Sequence, residues 1–482
     1  MYRVSGKIFH YYKELQLPQP DYSPVISDLE EEYKHYAPRS HQLQERACLV
    51  MVDGGSHGRR LNRPFPPRIT RASGAWLIDQ DGHRILDYWQ GHFANLLGHN
   101  APFLTEILAE GFKNGFGLQT GFTDELQIEV AEILCKQTGA EKVRFTTSGT
   151  LGTMYATLLG RAYTGRDLVM KIGGGFHGAQ PWGLKGIHYK TQKSGYNHPE
   201  GEGVPGDLIE NILLTPYNDP QTLEEQFRQH GNRIACLIME PVLGAGGLIT
   251  SSIEFMQAAR RLTQQYGALL ILDEVISGFR FRAGDLGSVY GVQPDLAIFG
   301  KVIGGGMPFA AVAGRTDVLN LVGKASGNRV QFSGGTYSAH PATMLATKTL
   351  LEHVILNEGK IYPHLAKMGE AMRQTMEAVF HSAGILAKST GELPAGLGGS
   401  SMAAVHFPYH PDIKITQPGI ASDPETCDVQ LRTEVLPLAL ILEDTHIIAG
   451  HGCLTTAHGE DEQAYFKHAL ENAVQRIKRS LD

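Results

Sequence analysis

Four side chains stand where an apolar run of this chain stops. Ser148 follows "VRFTT", Glu240 follows "CLIM", Asp273 follows "LLIL" and Lys301 follows "AIFG". Each type offers a different chemistry. A carboxylate ending four apolar residues, as Asp273 does, is costly unless it is paired, and a cationic ring nitrogen would be such a partner. A lysine in a partly desolvated pocket gives up its proton more readily and can attack an aldehyde. Ser148-Gly149-Thr150 precedes the helical stretch "LGTMYATLLGRAY". There hydroxyls, close backbone N–H groups and a helix N-terminus suit a phosphate, although a simple N-cap needs the same residues. Val275, two positions after Asp273, and Phe176 in "GGGFHGAQ" can flank a planar ligand or pack as core, with His177 beside them.

Lys301 has three readings: a solvated loop lysine, a phosphate clamp or a reacting amine. A Walker loop needs GxxxxGK[ST], whereas here "KVIGGG" puts the glycines after the lysine. "GGGFHG" is no dinucleotide fingerprint either, which argues against a nucleotide-binding dehydrogenase. A phosphate cup, an acid for a ring nitrogen, two ring-flanking side chains and a lysine together describe a pyridoxal 5'-phosphate (PLP) site.

Such groups meet only if the fold brings the strand ends to one edge. The runs "KVRFTTSG" (142–149), "LVMKIGGG" (168–175), "IACLIMEP" (234–241), "ALLILDEV" (268–275) and "LAIFGKV" (296–302) are continuously apolar. Helical stretches such as "DELQIEVAEILCKQTG" (124–139) separate them. That alternation predicts an α/β fold with a mainly parallel central sheet flanked by helices, whose ligands lie outside the carboxyl ends of the strands. "GAWLIDQDGHRILDYWQG" (74–91) reads as a β-hairpin turning at Asp81-Gly82. Residues 24–50 read as polar helices around Pro38, a lead-in packed on the main body. Residues 190–207 have the composition of a mobile surface insert. The last segment, from about 346, mixes helices with pieces such as "SMAAVHF", as a smaller α+β domain would. No internal repeat is visible.

The 482 residues suffice for about two to three structural units. With 42% hydrophobic and 19% charged residues and a net charge of -7, the balance is globular. Nothing in it calls for nucleic acid or an acidic membrane surface. The five cysteines form no CxxC pair, so neither a zinc ribbon nor a disulfide framework is expected and no metal is assigned. The N-terminal "MYRVSGKIFHYYKELQLPQPDY" lacks the apolar core of a leader, and no run approaches the roughly 18 apolar residues of a membrane span. The expectation is a cytoplasmic protein.

Seven segments, in order, resemble class III, fold-type I PLP-dependent aminotransferases, and in particular the glutamate-1-semialdehyde aminomutases and β-amino-acid aminotransferases. They are "GAWLIDQDGHRILDY", "VRFTTSGTLGTMYA", "GRDLVMKIGGGFHG", "MEPVLGAGG", "LLILDEVISGFR", "FGKVIGGGMPFAAVAGR" and "GGTYSAHPATMLA", within residues 70–475. The resemblance implies that Lys301 carries the cofactor as a Schiff base and moves protons, and that Asp273 partners the pyridinium. It implies further that Val275 and Phe176 flank the ring and that His177 neighbours the aromatic. Gly149 and Thr150, with Ser148 before them, match the phosphate cup, and Glu240 matches the glutamate of the family's Glu-Pro pair, in a supporting role. Thr336 matches a threonine reaching the partner subunit's phosphate, so a homodimer with shared active sites is implied. It also implies a large PLP-binding domain at 96–345 and a small α+β domain built from both termini, with an N-terminal extension and small-domain part at 1–95 and the remainder at 346–482.

Three positions depart from the family pattern: Leu151 replaces an acid, Phe176 a tyrosine and Ala245 an asparagine. The implied activity is ping-pong transamination between an amino donor and a carbonyl acceptor. A glutamate-1-semialdehyde 2,1-aminomutase-like rearrangement is the alternative, and a non-catalytic PLP-binding protein a more remote one. A substrate carboxylate calls for an arginine. Arg59 and Arg60 in "GRRLNRPFP" occupy the region where related enzymes hold one, with Arg280 and Arg282 as alternatives.

Overall fold

The computed structural model describes residues 20–481. The first 19 residues of the expected N-terminal extension, with most of the segment judged not to be a leader, lie outside the described residues.

A seven-stranded sheet organises the centre of the molecule. In chain order its strands are β1 (Lys142–Thr146), β2 (Leu168–Ile172), β3 (Ile212–Thr215), β4 (Ile234–Met239), β5 (Leu269–Glu274), β6 (Leu296–Gly300) and β7 (Ala310–Gly314). In space they run β1-β7-β6-β5-β4-β2-β3. Neighbours from β3 to β6 pair in parallel, while β7 is antiparallel to both β6 and β1. All strands but β7 therefore point the same way, and their carboxyl ends share one edge. β4, β5 and β6 are buried along their whole length, which is why they read as unbroken apolar runs.

The strand runs read from sequence stop short, at Thr146, Ile172, Met239, Glu274 and Gly300, because the chain turns there into the loops that border the site. Two strands escaped the sequence. β3 sits at the sheet edge, and β7, "AAVAG", is too small and glycine-rich to announce itself. Helices have matching punctuation: Asp124, Ser148 and Ser252 cap helices Glu125–Thr138, Gly149–Thr164 and Ile253–Tyr266 through their side chains. Left-handed Gly139, Gly165 and Gly267 end them.

Beside this sheet, the hairpin forms as expected. Trp76–Asp79 pairs antiparallel with Arg84–Asp87, and Ile69–Ser73 adds a third strand. Leu77 and Asp79 face inward, while Trp76 and Ile78 are half-buried. Arg84–Asp87 also pairs in parallel with Thr445–His446, so both ends of the chain build one sheet. A further small sheet joins Lys388–Thr390, Met402–His406 and His451–Cys453.

Helices Ser23–Tyr36 and Pro38–Cys48 meet at Pro38, as read from sequence. The first buries Val25, Leu29 and Tyr33, the two aliphatic side chains contributing about 1.5–3 kcal/mol each. It is bound to the C-terminal region by Tyr22 Oη donating to Asp428 at 2.7 Å and Tyr36 Oη to Asp444 at 2.6 Å. The 190–207 segment is irregular but stitched down. Glu200 accepts from the Ile187 and His188 N–H groups, and the His198 ring bonds the His188 carbonyl. Among the described residues no helix is long and apolar enough to cross a membrane.

Candidate active site

Lys301 leaves the end of β6 in a backbone conformation that β-strands do not use. Its φ is 47°, a left-handed value that L-residues adopt at a cost. Among the described residues its amine meets no hydrogen-bond acceptor and forms no ion pair. Burial brings its pKa down from 10.5 to about 8. The charges of Glu240 and Asp273 hold it up against that pull, and Arg280 pushes it further down.

At the end of β5, Asp273 is buried and receives two polar contacts. The Val275 N–H reaches Oδ1 at 3.2 Å, and His177 Nδ1 lies 2.8 Å from Oδ2. Burial depresses the His177 pKa despite the carboxylate beside it, which leaves a neutral ring donating from Nδ1. Its Nε2 is sealed without a partner among the described residues. Next to it Glu240, beyond β4, accepts from the Phe176 N–H and the Gly244 N–H, both at 2.9 Å. Burial and the nearby Asp273 carboxylate raise its pKa to about 8, against the pull of those two donors and Lys301. Glu240 thus fastens the two loops that border Asp273.

Beyond β1 the 16-residue helix Gly149–Thr164 begins. Ser148 Oγ accepts from the Leu151 N–H at 3.3 Å, so this hydroxyl is a true N-cap. The N–H groups of Gly149 and Thr150 meet no protein acceptor among the described residues, as expected for the orphan donors of a first turn. A Cβ at Gly149 would lie 3.0 Å from Val275 Cγ2, so only glycine gives this contact without displacing Val275. Gly178, at φ 85°, lets the loop after Phe176 close on Thr150, whose Oγ1 would be 2.5 Å from a Cβ there. Phe176 keeps a 45% exposed face. The Gly334-Gly335 turn packs against Thr147, and the following Thr336 lies exposed on the chain's surface.

Sequence reasoning missed one wall of the site. Gln90, Gly91, His92 and Phe93 all have positive φ, between 46° and 64°, and form a left-handed turn. Asp87 holds its start by accepting from the Trp89 and Gln90 N–H groups, and the Gln90 amide donates to the Asp87 carbonyl at 2.8 Å. The turn presents His92 with both ring nitrogens sealed and unpartnered among the described residues, its ring 4.5 Å from Trp89 and 4.4 Å from His57. Burial, then Lys301, His57, Arg60 and Arg59, lowers the His92 pKa to about 3. Arg59 and Arg60, in the short turn Gly58–Arg60, are exposed and share the electrostatic neighbourhood of His92 and Lys301. "WQGHF" contains one glycine and gave no signal of this conformation.

The alternative arginines are committed elsewhere. Arg280 is buried and donates to the carbonyls of Phe93, Asn95 and Ile276. Arg282 donates to Ser288 Oγ at 2.6 Å.

The fold and these side chains define a fold-type I PLP enzyme. The model of the family "Aminotransferase class-III" matches residues 58–388, and the chain belongs to that family. A glutamate-1-semialdehyde 2,1-aminomutase of Halorubrum lacusprofundi is 36% identical over 340 residues, 70% of this chain and 74% of that protein. An omega-transaminase from Sphaerobacter thermophilus superimposes with a TM-score of 0.81 at 30% identity, over 91% of this chain and 98% of its own. A transaminase structure with PLP bound gives 0.79 at 28% identity, over 92% and 98%. PLP is the cofactor of this enzyme. The residues present fit it: a free N–H pair for the phosphate, a buried carboxylate with no full cation bonded to it for the ring nitrogen, and an unpartnered amine for the aldehyde.

Proposed function

We propose that this enzyme moves an amino group between adjacent carbons of one carboxylate-bearing substrate, in the manner of a glutamate-1-semialdehyde 2,1-aminomutase. The aminomutase relative covering 74% of its own length carries the reading, and it reverses the order of the two activities expected from the sequence. Intermolecular transamination is the second reading, favoured by the 30%-identical omega-transaminase that covers nearly the whole chain. When bound, PLP supplies the aldehyde that captures the amine and the ring that stores an electron pair.

The chain's own residues do the rest. Lys301 would hold the cofactor and, as a free amine, would move a proton at the substrate carbon. Its depressed pKa suits that transfer near neutral pH. Asp273, oriented by His177, keeps a proton at the ring nitrogen. Gly149 and Thr150 bind the phosphate with Ser148 capping their helix. Val275 and Phe176 flank the ring, and Glu240 holds the bordering loops. Arg59 and Arg60 draw a carboxylate towards the mouth.

The discriminating experiment supplies PLP-loaded enzyme with glutamate 1-semialdehyde and no keto acid, and in parallel with β-amino acids or ω-amines plus a keto acid. Rearranged product without an acceptor is expected. An obligatory, stoichiometric acceptor would transfer the assignment to transamination, and failure to retain PLP would sink both readings.

The same reading includes a homodimer in the cytoplasm. Leu118, Phe122 and Tyr337 are 77%, 75% and 62% exposed, and Tyr337 adjoins Thr336, which would reach the partner's phosphate. A fully active monomer in sedimentation would exclude the shared site. Five unpaired cysteines accord with a reducing compartment. Pairing of Arg84–Asp87 with Thr445–His446 supports residues 96–345 as the cofactor domain and 1–95 with 346–482 as the smaller unit.

A further inference from the structure

Arg432 is a buried arginine of unusual commitments. Buried Arg280 is held by three backbone carbonyls. Buried Arg373 donates to the Ser400 and Met402 carbonyls and to Glu370. Arg432, only 5% exposed, bonds a single neighbour, His406 Nδ1 at 3.2 Å. Its other N–H groups meet no acceptor, and no carboxylate lies within 4.0 Å of it, among the described residues. Glu434, two positions on, is turned towards Arg63 at 3.2 Å. Arg280 Nη1 and Arg373 Nε are sealed among the described residues, whereas no Arg432 nitrogen is, so its unbonded N–H groups stay open to an incoming acceptor.

Its surroundings are shaped around it. Arg432 lies in a single π-helical turn, Leu431–Val435, a rare conformation concentrated at functional sites. Gly450 lets the arginine stem cross, since a Cβ there would lie 2.6 Å from Arg432 Cγ. The next residue, His451, has its Nε2 sealed and without a partner among the described residues. Burial and the Arg432 charge keep both His406 and His451 neutral, and Arg59 adds its charge to Arg432 and His451 alike. Cys427 and Tyr196 also lie within electrostatic reach of Arg432, and the groups that face it thus include cations, neutral rings and a thiol.

One strand connects these residues to the surroundings of the reacting amine. His451 and Cys453 belong to one strand and, two residues apart, face the same side at about 7 Å spacing. Cys453 is within the electrostatic reach of Lys301, and Arg59 shares the His92 neighbourhood with Lys301.

We propose that Arg432, with Arg59 and the imidazoles of His406 and His451, forms the subsite that receives the substrate's carboxylate while its amine is at Lys301. This rests on the amino-group reading above and names the residue that the sequence did not single out. Arg59 at the mouth draws the anion in, and Arg432 holds it in a fork of N–H donors. The substrate class is then an amino acid or amino aldehyde with a carboxylate, as opposed to a simple alkylamine.

The test uses PLP-loaded enzyme and two readouts. Calorimetry measures binding of pentanoate, a carboxylate with no amine to react. Stopped-flow bleaching of the yellow absorbance compares 4-aminobutanoate with n-pentylamine. For Arg432→Gln, pentanoate affinity and the 4-aminobutanoate-to-pentylamine rate ratio should each fall about 30-fold or more, as for one partner lost from a buried charge pair. Arg432→Lys should restore part of both. Unchanged pentanoate binding, or an unchanged ratio, overturns the proposal. If Arg432→Gln does not fold, Arg432→Lys and the exposed-site Arg59→Gln take its place, and pentanoate binding at wild-type strength in both is the refuting result. Wild-type enzyme that binds pentanoate through Arg432 but bleaches with neither amine would refute only the amino-group reading. Bleaching without any dependence on Arg432 would refute only this subsite.

Discussion

At the scale of one residue, Lys301 combines two costs, a left-handed backbone and a half-buried amine that meets no acceptor among the described residues. Neither would persist in a residue that only filled space. The return is chemical: moving the pKa from 10.5 to about 8 raises the neutral amine at pH 7 on the order of 10²-fold. Because the neutral form reacts, PLP capture by the apo-enzyme should accelerate as pH rises through about 8 and level off above it. Stopped-flow absorbance at a series of pH values measures this. A rate still climbing towards pH 10.5 would mean that burial does not act on Lys301. Lys301→Ala should keep PLP only non-covalently and lose the yellow species that borohydride fixes. The same residue was the most legible in the sequence, since an isolated lysine after an apolar strand and before three glycines has few structural uses. Arg432 and His92 were not legible. Each stands out by how few polar partners it meets among the described residues, and a missing partner leaves no pattern in a sequence.

At the scale of an element, periodicity carried the reading for helices and buried strands, because burial on both faces writes itself as continuous apolar runs. It failed where backbone conformation, and not side-chain pattern, makes the element. β7 is five small residues whose place between β1 and β6 is set by tertiary pairing. The Gln90–Phe93 turn is the sharper case: consecutive left-handed residues are held by side chains outside helical logic. Gln90 is fully buried, its amide donating to the Asp87 carbonyl and its Oε1 accepting from Asn95 at 3.3 Å. Gln90→Ala removes both bonds and leaves the strain. It should destabilise the protein by about 1–3 kcal/mol and lower kcat/KM about tenfold or more, because His92 loses its placement near Lys301. Thermal unfolding and steady-state kinetics on the same preparation check this. Full activity with lowered stability would show that the turn supports the fold and not the site.

For the whole molecule, the question is what holds the two ends of the chain to the central sheet and to each other. Asp87 is where those paths cross. It ends the strand Arg84–Asp87, which pairs with Thr445–His446. Its carboxylate accepts from the Trp89 and Gln90 N–H groups at 2.9 and 3.0 Å. It also bonds the rings of His446 at 2.9 Å and His99 at 2.8 Å. Burial alone would raise its pKa, but the bonds from His446 and His99 outweigh burial and hold it well below the usual carboxylate range. In the unfolded chain the same group titrates near ~3.9. A depressed folded pKa means that Asp87 adds stability at all pH values above that unfolded value. The contribution shrinks as pH falls below about 4, towards the lower folded pKa. Asp87→Asn keeps the size of the side chain but turns one acceptor into a donor facing donors, so it should cost about 3 kcal/mol or more at neutral pH. The gap in apparent Tm between wild type and Asp87→Asn should accordingly be constant from pH 7 to about 5 and narrow below about 4. A gap that stays constant down to pH 3 would place the stabilisation in packing around Asp87 and remove its charge from the account of how the termini are joined.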